Sequence, residues 1–587
     1  MTSTNTSALA ETANTTGKPK TAAHYLLKGV MESGMRRLFC NLGTDHVTLI
    51  EELAQWRATG QELPEIFLCP HENVAVHMAG GYAAITGEGQ CVLVHVDAGT
   101  ANSAMALHNL FRARIPVMLV AGRAPYTVRG EKTGSRDNYV HFVQDPFDIA
   151  SLVRPYVKWE YSLQDPVVAK EVIQRGHSVM QSDPPGPVFL TLPRETLAEE
   201  CIDESVRSFP TSFYGSVKQG GINEKTALDI AQRIKAAKSP IIITSYLGRS
   251  AEAVAALEKL AQDAAIPVYE ANPTVLNVSR TSPIFGGFQA DNALSSSDLV
   301  LLLDVDVPWL PKYTGTIEPP CCIQIDTDAI KSDFPMWGFG AHLRLQANVA
   351  ESLTSIQQAL QGIADADYAA TVQQRHDALN QAFQARTHRL AASTDNADST
   401  FDAPELFRAL SEKLKPRDMI INEAIRNAAN VLNYIPRSEP HTYFCNAGGG
   451  LGFSGGFGLG LKLAAPEARV IQIVGDGSFH FSAPTAVYAT AQQYGLPIFT
   501  IVLDNGGWRA VKESVLRVHA DGQAAQSDEF LSRLPGEKRN FELVGSAFGA
   551  HAETVEASDQ LNDALDRCLA AVDAGQSAVL RVVLPQI

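Results

Sequence analysis

Aliphatic and β-branched residues occur in short runs along this chain, and the stretches between them carry the three-to-four-residue apolar spacing of helices. From Lys20 to about Pro193 the runs are LFCNLG (38–43), CVLVHV (91–96), PVMLVAG (116–122) and PVFLTL (187–192). Continuous apolar runs of this length, closed by Gly, Pro or polar residues, predict parallel strands buried on both faces. HENVAVHMAGGYAAITG (71–87) reads as a helix packed on that sheet, and SDPPGP (182–187) as a turn into the last strand. The alternation returns with PIIITSYLG (240–248), the helix 251–265, IPVYEA (266–271), DLVLLLDVDV (298–307) and CIQIDTD (322–328). It returns again with DMIINE (418–423), RVIQIVGDG (469–477), IFTIVLDN (498–505) and AVLRVVLP (578–585). The pattern predicts an α/β protein of three doubly wound parallel-sheet domains. Composition sets their bounds: a disordered tail over 1–20, domains over 21–197, 222–360 and 401–587, a linker over 198–221 and a helical linker over 361–400.

Charge and cysteine usage narrow the class of partner. Forty-eight basic against 64 acidic residues give a net charge of −16, which repels nucleic acid and anionic membrane. No apolar run reaches the roughly 18 residues needed to span a bilayer. Residues 1–20 are Ser/Thr-rich and lack the apolar core of a signal peptide. The eight cysteines form no C-x-x-C pair, so free thiols and a cytoplasmic location are expected.

The chemistry concentrates in VIQIVGDGSFHF (470–481). Here a buried strand ends in Gly475-Asp476-Gly477, and Ser478 leads toward a helix expected near Ala483. Glycines allow close approach to an anion, and the N–H groups of a helix start can bind it. Asp476 offers the hard oxygen that Mg²⁺ prefers. The next strand delivers Asn505, whose amide oxygen, with the Gly507 carbonyl, would complete the protein's share of an octahedron. A bare G-D-G is usually an ordinary turn; joined to D-N-G-G one helix and one strand later, it reads as a metal–diphosphate site. GGGLGFSGGFG (448–458) also satisfies G-x-G-x-x-G, with Asp476 near the distance of a dinucleotide-binding acid. Asp476 already serves the metal reading, so the nicotinamide alternative is the weaker one.

The G-D-G and D-N-G-G pair resembles the signature of thiamine diphosphate (ThDP) enzymes, in which Mg²⁺ holds the cofactor's diphosphate. Asp504 departs from the usual first Asn, and the spacing is about two residues longer than in many members, a comparison carried by the resemblance alone. The resemblance implies that Gly475, Gly477 and Ser478 cradle the diphosphate, that Leu451 wedges the cofactor into a bent shape, and that the Gly449 carbonyl accepts from its amino group. It places Glu72 as the acid that activates the aminopyrimidine, acting on a cofactor held by a neighbouring subunit. A homodimer or homotetramer follows. An acid opening a helix is otherwise simply favourable with the helix dipole.

All three units are similar to the decarboxylase and acetolactate synthase branch, as pyrimidine-binding, central and diphosphate-binding domains. VLVHVDAGTANSAMAL (92–107) and CNLGTDH (40–46) resemble benzoylformate decarboxylases, with His95 at an active-site histidine and Thr44 at a substrate-binding serine. A strand-end histidine is often only a buried hydrogen-bonding group; in the catalytic role His95 would exchange protons near neutrality. The middle region DVDVPWLPKY (304–313) lacks those enzymes' second histidine. Gln144 aligns instead with a glutamine of acetolactate synthases, and Trp508, Ala510 and Val511 are expected in the substrate pocket. Arg509 and Lys512 would either favour an anionic substrate or face solvent. The implied activity is ThDP- and Mg²⁺-dependent decarboxylation of a 2-oxo acid, leaving an enamine that is protonated or ligated to a second carbonyl. Alternatives are an acetolactate synthase-like carboligase, a 2-hydroxyacyl-CoA lyase, or a silent ThDP-binding scaffold. FAD is not expected, because 222–350 holds no Gly-rich, Arg-containing match. The charged segment 518–540 is a candidate cover over the site.

Overall fold

The computed structural model describes residues 18–210, 212–315, 318–392, 401–536 and 539–587. The tail expected over 1–20 therefore lies almost wholly outside the described residues. Three six-stranded sheets, every neighbouring pair parallel, confirm the three α/β units. In the first, the spatial order is Glu65–Leu68, Arg37–Asn41, Gln90–Val94, Val117–Arg123, Val188–Pro193 and Glu160–Ser162. The third repeats that winding with Tyr443–Cys445, Met419–Glu423, Val470–Gly475, Phe499–Asp504, Ala578–Val583 and His551–Val555. The middle sheet differs: its first three strands run consecutively outward, as Phe285–Gly287, Val268–Glu270 and Pro240–Thr244, before Leu299–Leu303, Cys322–Asp326 and Leu343–Gln346.

In each sheet the winding reverses between the first strand and the one beside it on the other side. Such a switch point opens a crevice beyond the strands' carboxyl ends, because the two connections leave in opposite directions. The first sheet's crevice receives the chain after Asn41 and after Val94; the third's receives Glu423 and Asp476.

One apolar core joins the first and third units. Val74, Met78 and Leu110 belong to the same buried cluster as Phe453, Phe457 and Ile498. The helix Glu72–Thr86 lies against Ser454–Ala464 closely enough that a Cβ on Gly81 would sit 2.1 Å from the Phe457 carbonyl oxygen, and one on Gly460 2.1 Å from that of Met78. Glycine at both positions is therefore a packing requirement. Within the stretch expected to be a linker, Glu200–Cys201 pairs antiparallel with Lys20–Thr21. The 361–400 stretch carries the helix Ala366–Ala392. No helix among the described residues is long and apolar enough to cross a membrane.

Candidate active site

Val470–Gly475 ends at the third sheet's switch point, and Asp476 itself opens the short helix Asp476–Phe481. That helix begins earlier than the start expected near Ala483; a second, Pro484–Tyr494, follows it. Gly477 and Ser478 are buried in the first turn, while a Cβ on Gly475 would meet nothing within 4 Å, leaving open space beside the strand end. Asp476 is buried and accepts hydrogen bonds from the N–H groups of Gly477 (2.7 Å) and Gly506 (2.8 Å). Burial pushes its pKa up to about 6 against the opposing pull of the Gly477 N–H. Among the described residues no Lys or Arg pairs with it.

The neighbouring aspartate is a different case. Asp504 is fully buried, but Arg581 (2.6 Å) and Arg539 (3.0 Å) neutralise it. This explains the departure from Asn at that position: the residue anchors a buried ion pair rather than facing the crevice. Asn505 is half-buried and accepts from the Gly507 N–H at 3.3 Å. Gly507 has φ +145°, and a Cβ there would lie 2.1 Å from the Ser532 carbonyl oxygen. Asp476, the Asn505 amide and the Gly507 carbonyl thus lie at two neighbouring strand ends, and among the described residues Asp476 has no cationic side-chain partner. These donors fit Mg²⁺, and the glycine-lined helix start fits a diphosphate.

The glycine loop is held from beneath by a residue the motif reading missed. Glu423, at the carboxyl end of its strand, is fully buried and accepts from the Ser454 N–H at 3.0 Å, from the Gly452 N–H and from the Ser454 hydroxyl. Burial pushes its pKa up to about 7, with those hydrogen bonds pulling the other way. Gly449 has φ +80° and donates its N–H to the Asn446 side chain at 3.0 Å; Leu451 is half-buried in the same turn. The first unit clamps the loop from the other side: Asn109 donates to the Gly450 carbonyl at 2.9 Å, and the His108 ring bonds to the Gly448 carbonyl at 2.6 Å.

Glu72 opens its helix and is 8% exposed. Asn102 donates to its Oε2 at 3.0 Å, and a Cβ on Gly99 would stand 3.3 Å from Oε1. Both partners lie on Val96–Ala113, the helix whose N-cap position is His95, so the helix that follows His95 also supplies the surroundings of Glu72. Next in sequence, Asn73 donates to the carbonyls of Gly452 (3.2 Å) and Phe481 (3.4 Å). A single chain thus brings the start of the Glu72 helix onto its own glycine loop.

The His95 ring sits with Nδ1 2.5 Å from Asp45 Oδ1, and Gln144 stands within hydrogen-bonding reach. The Asp45 hydrogen bond raises the imidazole's pKa despite partial burial. Burial pushes the Asp45 carboxyl up, but the flanking imidazoles of His46 and His95 more than offset this and hold it well below the usual carboxylate range. Thr44 is exposed beside this pair. Trp508 lies over Gly477, where a Cβ would come 2.3 Å from its indole nitrogen. Ala510 is half-buried and Val511 exposed on the Arg509–Val518 helix. Arg509 and Lys512 are already paired, with Glu513 (3.2 Å) and Asp528 (2.7 Å).

The residues that sequence reasoning missed differ in how findable they were. Glu423 closes DMIINE, and a carboxylate ending a buried strand at a switch point is a readable signal. Asp45 stood inside the quoted CNLGTDH. Asn109 and His108 act through a helix–loop contact, and Asn102 through a helix–helix contact, that no local spacing encodes.

With this geometry in place, the chain belongs to the thiamine pyrophosphate enzymes. The family's N-terminal TPP binding domain matches residues 20–152, its central domain 228–356 and its C-terminal TPP binding domain 427–582. Among curated relatives, the chain is 24% identical over 559 residues to benzoylformate decarboxylase of Pseudomonas aeruginosa, covering 92% of this chain and 94% of that one. It is 22% identical over 524 residues to the acetolactate synthase large subunit of Haemophilus influenzae, covering 85% and 84%. Among solved structures, the 4-hydroxybenzoylformate decarboxylase of Rhodococcus jostii RHA1 shares the fold with a TM-score of 0.76 at 18% identity, covering 97% and 100%. The relatives include decarboxylases and acetolactate synthases, and the chain is an enzyme of that lyase or carboligase family.

Proposed function

We propose that the protein is a ThDP- and Mg²⁺-dependent decarboxylase of 2-oxo acids. The observation that carries this reading is Glu72 held by Asn102 on the helix that follows His95, with the adjacent Asn73 bonded to the clamped glycine loop. When bound, ThDP supplies the carbon nucleophile for the 2-oxo group and a sink for the electron pair left as CO₂ departs. Asp476, Asn505 and the Gly507 carbonyl would hold Mg²⁺, and Gly475, Gly477 and Ser478 the diphosphate. Glu72 would hold a proton at the aminopyrimidine ring, oriented by Asn102. His95 would exchange a proton at the reacting carbon, and Trp508, Ala510, Val511 and Thr44 would shape the pocket. The names of relatives, including benzoylformate decarboxylase and a probable 2-ketoarginine decarboxylase, support a 2-oxo acid substrate.

Gln144 at the His95 ring favours a second reading, in which a second carbonyl competes with the proton and the product is an acyloin or 2-hydroxy-2-alkyl acid. A 2-hydroxyacyl-CoA substrate has less support. A cavity of about 440 Å³ opens between the three units and is lined by Arg114 and Arg249. Arg114 is paired with Asp306 (2.8 Å), and Arg249 lies 3.6 Å from Asp304, so both cations already have a carboxylate partner. Eight free cysteines support a cytoplasmic location. The test is apo-protein reconstituted with ThDP and Mg²⁺ and offered a panel of 2-oxo acids. CO₂ release that needs both additions is expected, with product analysis separating aldehyde from ligated products. No CO₂ from any acid overturns the proposal.

A further inference from the structure

The proposed chemistry gives His95 a task but leaves unstated what sets its ring. The side chain beneath it is Asp45, 3% exposed, while His95 itself is 25% exposed. Asp45 Oδ1 takes His95 Nδ1 at 2.5 Å, and Oδ2 accepts the Val96 N–H at 3.3 Å, so both oxygens are spent on the residue pair that begins the helix.

The surrounding backbone is shaped to admit this pair. A Cβ on Gly122, in the Val117–Arg123 strand, would fall 1.4 Å from Asp45 Oδ2, and one on Gly43 would fall 2.0 Å from His95 Nδ1. Neither glycine needs a positive φ; both clear volume for side chains. Val96 carries φ +30°, a strained value for a β-branched residue, directly after the histidine.

The hydrogen-bond directions then assign the proton. His46 Nδ1 also lies near this carboxylate, 3.2 Å from Asp45 Oδ1, and takes the Gly43 N–H at 3.1 Å, so the His95 contact is the shorter of the two imidazole contacts to Asp45. An ionised carboxylate can only accept, so at 2.5 Å the neutral His95 ring carries its proton on Nδ1. Nδ1–H is tied down and Nε2 is left unengaged by Asp45, with the ring 25% exposed and Gln144 within reach of it.

We propose that Asp45 is the positioning residue for His95, fixing the ring with Nδ1–H on the carboxylate and Nε2 presented to the reacting carbon of a 2-oxo acid. The inference rests on the acid–base reading of His95 given above. A proton delivered from Nε2 of the charged ring leaves a neutral imidazole whose other proton stays on Nδ1, and water restores the first. A pair serving packing alone would have no reason to keep one edge of the ring open. The groups that tune the ring are Asp45, Gln144 and Asp97, with His46 on the same Asp45 carboxylate and His141, itself near Asp137, Arg194 and Arg136, within electrostatic range of Asp45. The carboxylate's hydrogen bond raises the imidazole's pKa.

The test compares Asp45→Asn, Asp45→Glu, His95→Ala and Asp45→Asn/His95→Ala in ThDP- and Mg²⁺-loaded enzyme, on the most active acid of the panel. Asp45→Asn is expected to lower kcat roughly 10- to 100-fold with little change in KM. The pH limb assigned to His95 should move to lower pH, Asp45→Glu should restore part of the rate, and the double variant should be no slower than His95→Ala. Wild-type kcat and an unmoved limb in Asp45→Asn, beside an impaired His95→Ala, overturn the role of Asp45 alone. An active enzyme whose His95→Ala variant is unimpaired removes the acid–base reading instead, and this proposal with it. Should Asp45→Asn not fold, ¹⁵N-histidine spectra of the wild type decide. A neutral ring protonated at Nδ1 with a raised pKa supports the proposal; one protonated at Nε2 refutes it.

Discussion

Asp476 and Asp504 stand at the ends of adjacent strands, and their surroundings divide their tasks. Arg581 and Arg539 neutralise Asp504, whereas Asp476 meets only N–H groups and has its pKa pushed up to about 6. Asp476→Ala should therefore abolish Mg²⁺-dependent retention of ThDP, measured by calorimetric titration with and without the metal. Glu72→Gln should retain cofactor but slow exchange of its C2 proton by roughly 10²-fold or more, read by NMR; exchange at the wild-type rate removes the acid role. Glu423 makes a stability prediction. Its folded pKa of about 7 exceeds the 4.5 of a free glutamate, so the folded state binds the proton more tightly. Its contribution is greatest below pH 4.5 and is lost as pH rises through about 7. The loss is at most about 3 kcal/mol over that window. Glu423→Gln should flatten the dependence, seen as denaturation midpoints that change less between those pH values.

At the scale of elements, twelve strands were legible in the sequence, and they are the four inner strands of each sheet. In the three six-stranded sheets the six that went unread are all edges: Glu65–Leu68, Glu160–Ser162, Phe285–Gly287, Leu343–Gln346, Tyr443–Cys445 and His551–Val555; the short pair Lys20–Thr21 and Glu200–Cys201 went unread as well. An inner strand is buried on both faces and along both sides, so it must be continuously apolar, as Leu299–Leu303 is. An edge strand such as Leu343–Gln346 alternates half-buried and exposed positions, and such short mixed runs carry little signal. The helix pair Glu72–Thr86 and Ser454–Ala464 depends on its glycines for close approach. Gly81→Val should push the helices apart and destabilise by about 1–3 kcal/mol, seen as a lower Tm. It should also slow C2 proton exchange, because Glu72 opens the displaced helix.

At the scale of the whole molecule, the first and third units share one core, and Asn73 reaches the third unit's glycine loop within a single chain. The family resemblance implied that Glu72 acts on a cofactor held by a neighbour, and mixing two inactive variants decides between the arrangements. If sites form between subunits, co-refolded Glu72→Gln and Asp476→Ala chains should regain about a quarter of wild-type activity, since half the dimers then hold one intact site of two. If each chain completes its own site, activity stays at the level of the separate variants.

Hydrophobic patterning by itself determined the three parallel α/β units, because inner strands have no alternative to continuous apolar residues. The glycine–aspartate pairing marked the proposed diphosphate end of the site, because those groups are local to two strand ends. Tertiary structure alone decided what lies beneath and beside them: Asp45 under His95, Asn102 on Glu72, Glu423 under the loop and the arginines on Asp504. Each of these contacts joins residues whose separation is set by the winding of a sheet. A hydrogen bond between distant segments leaves no periodic trace in either one.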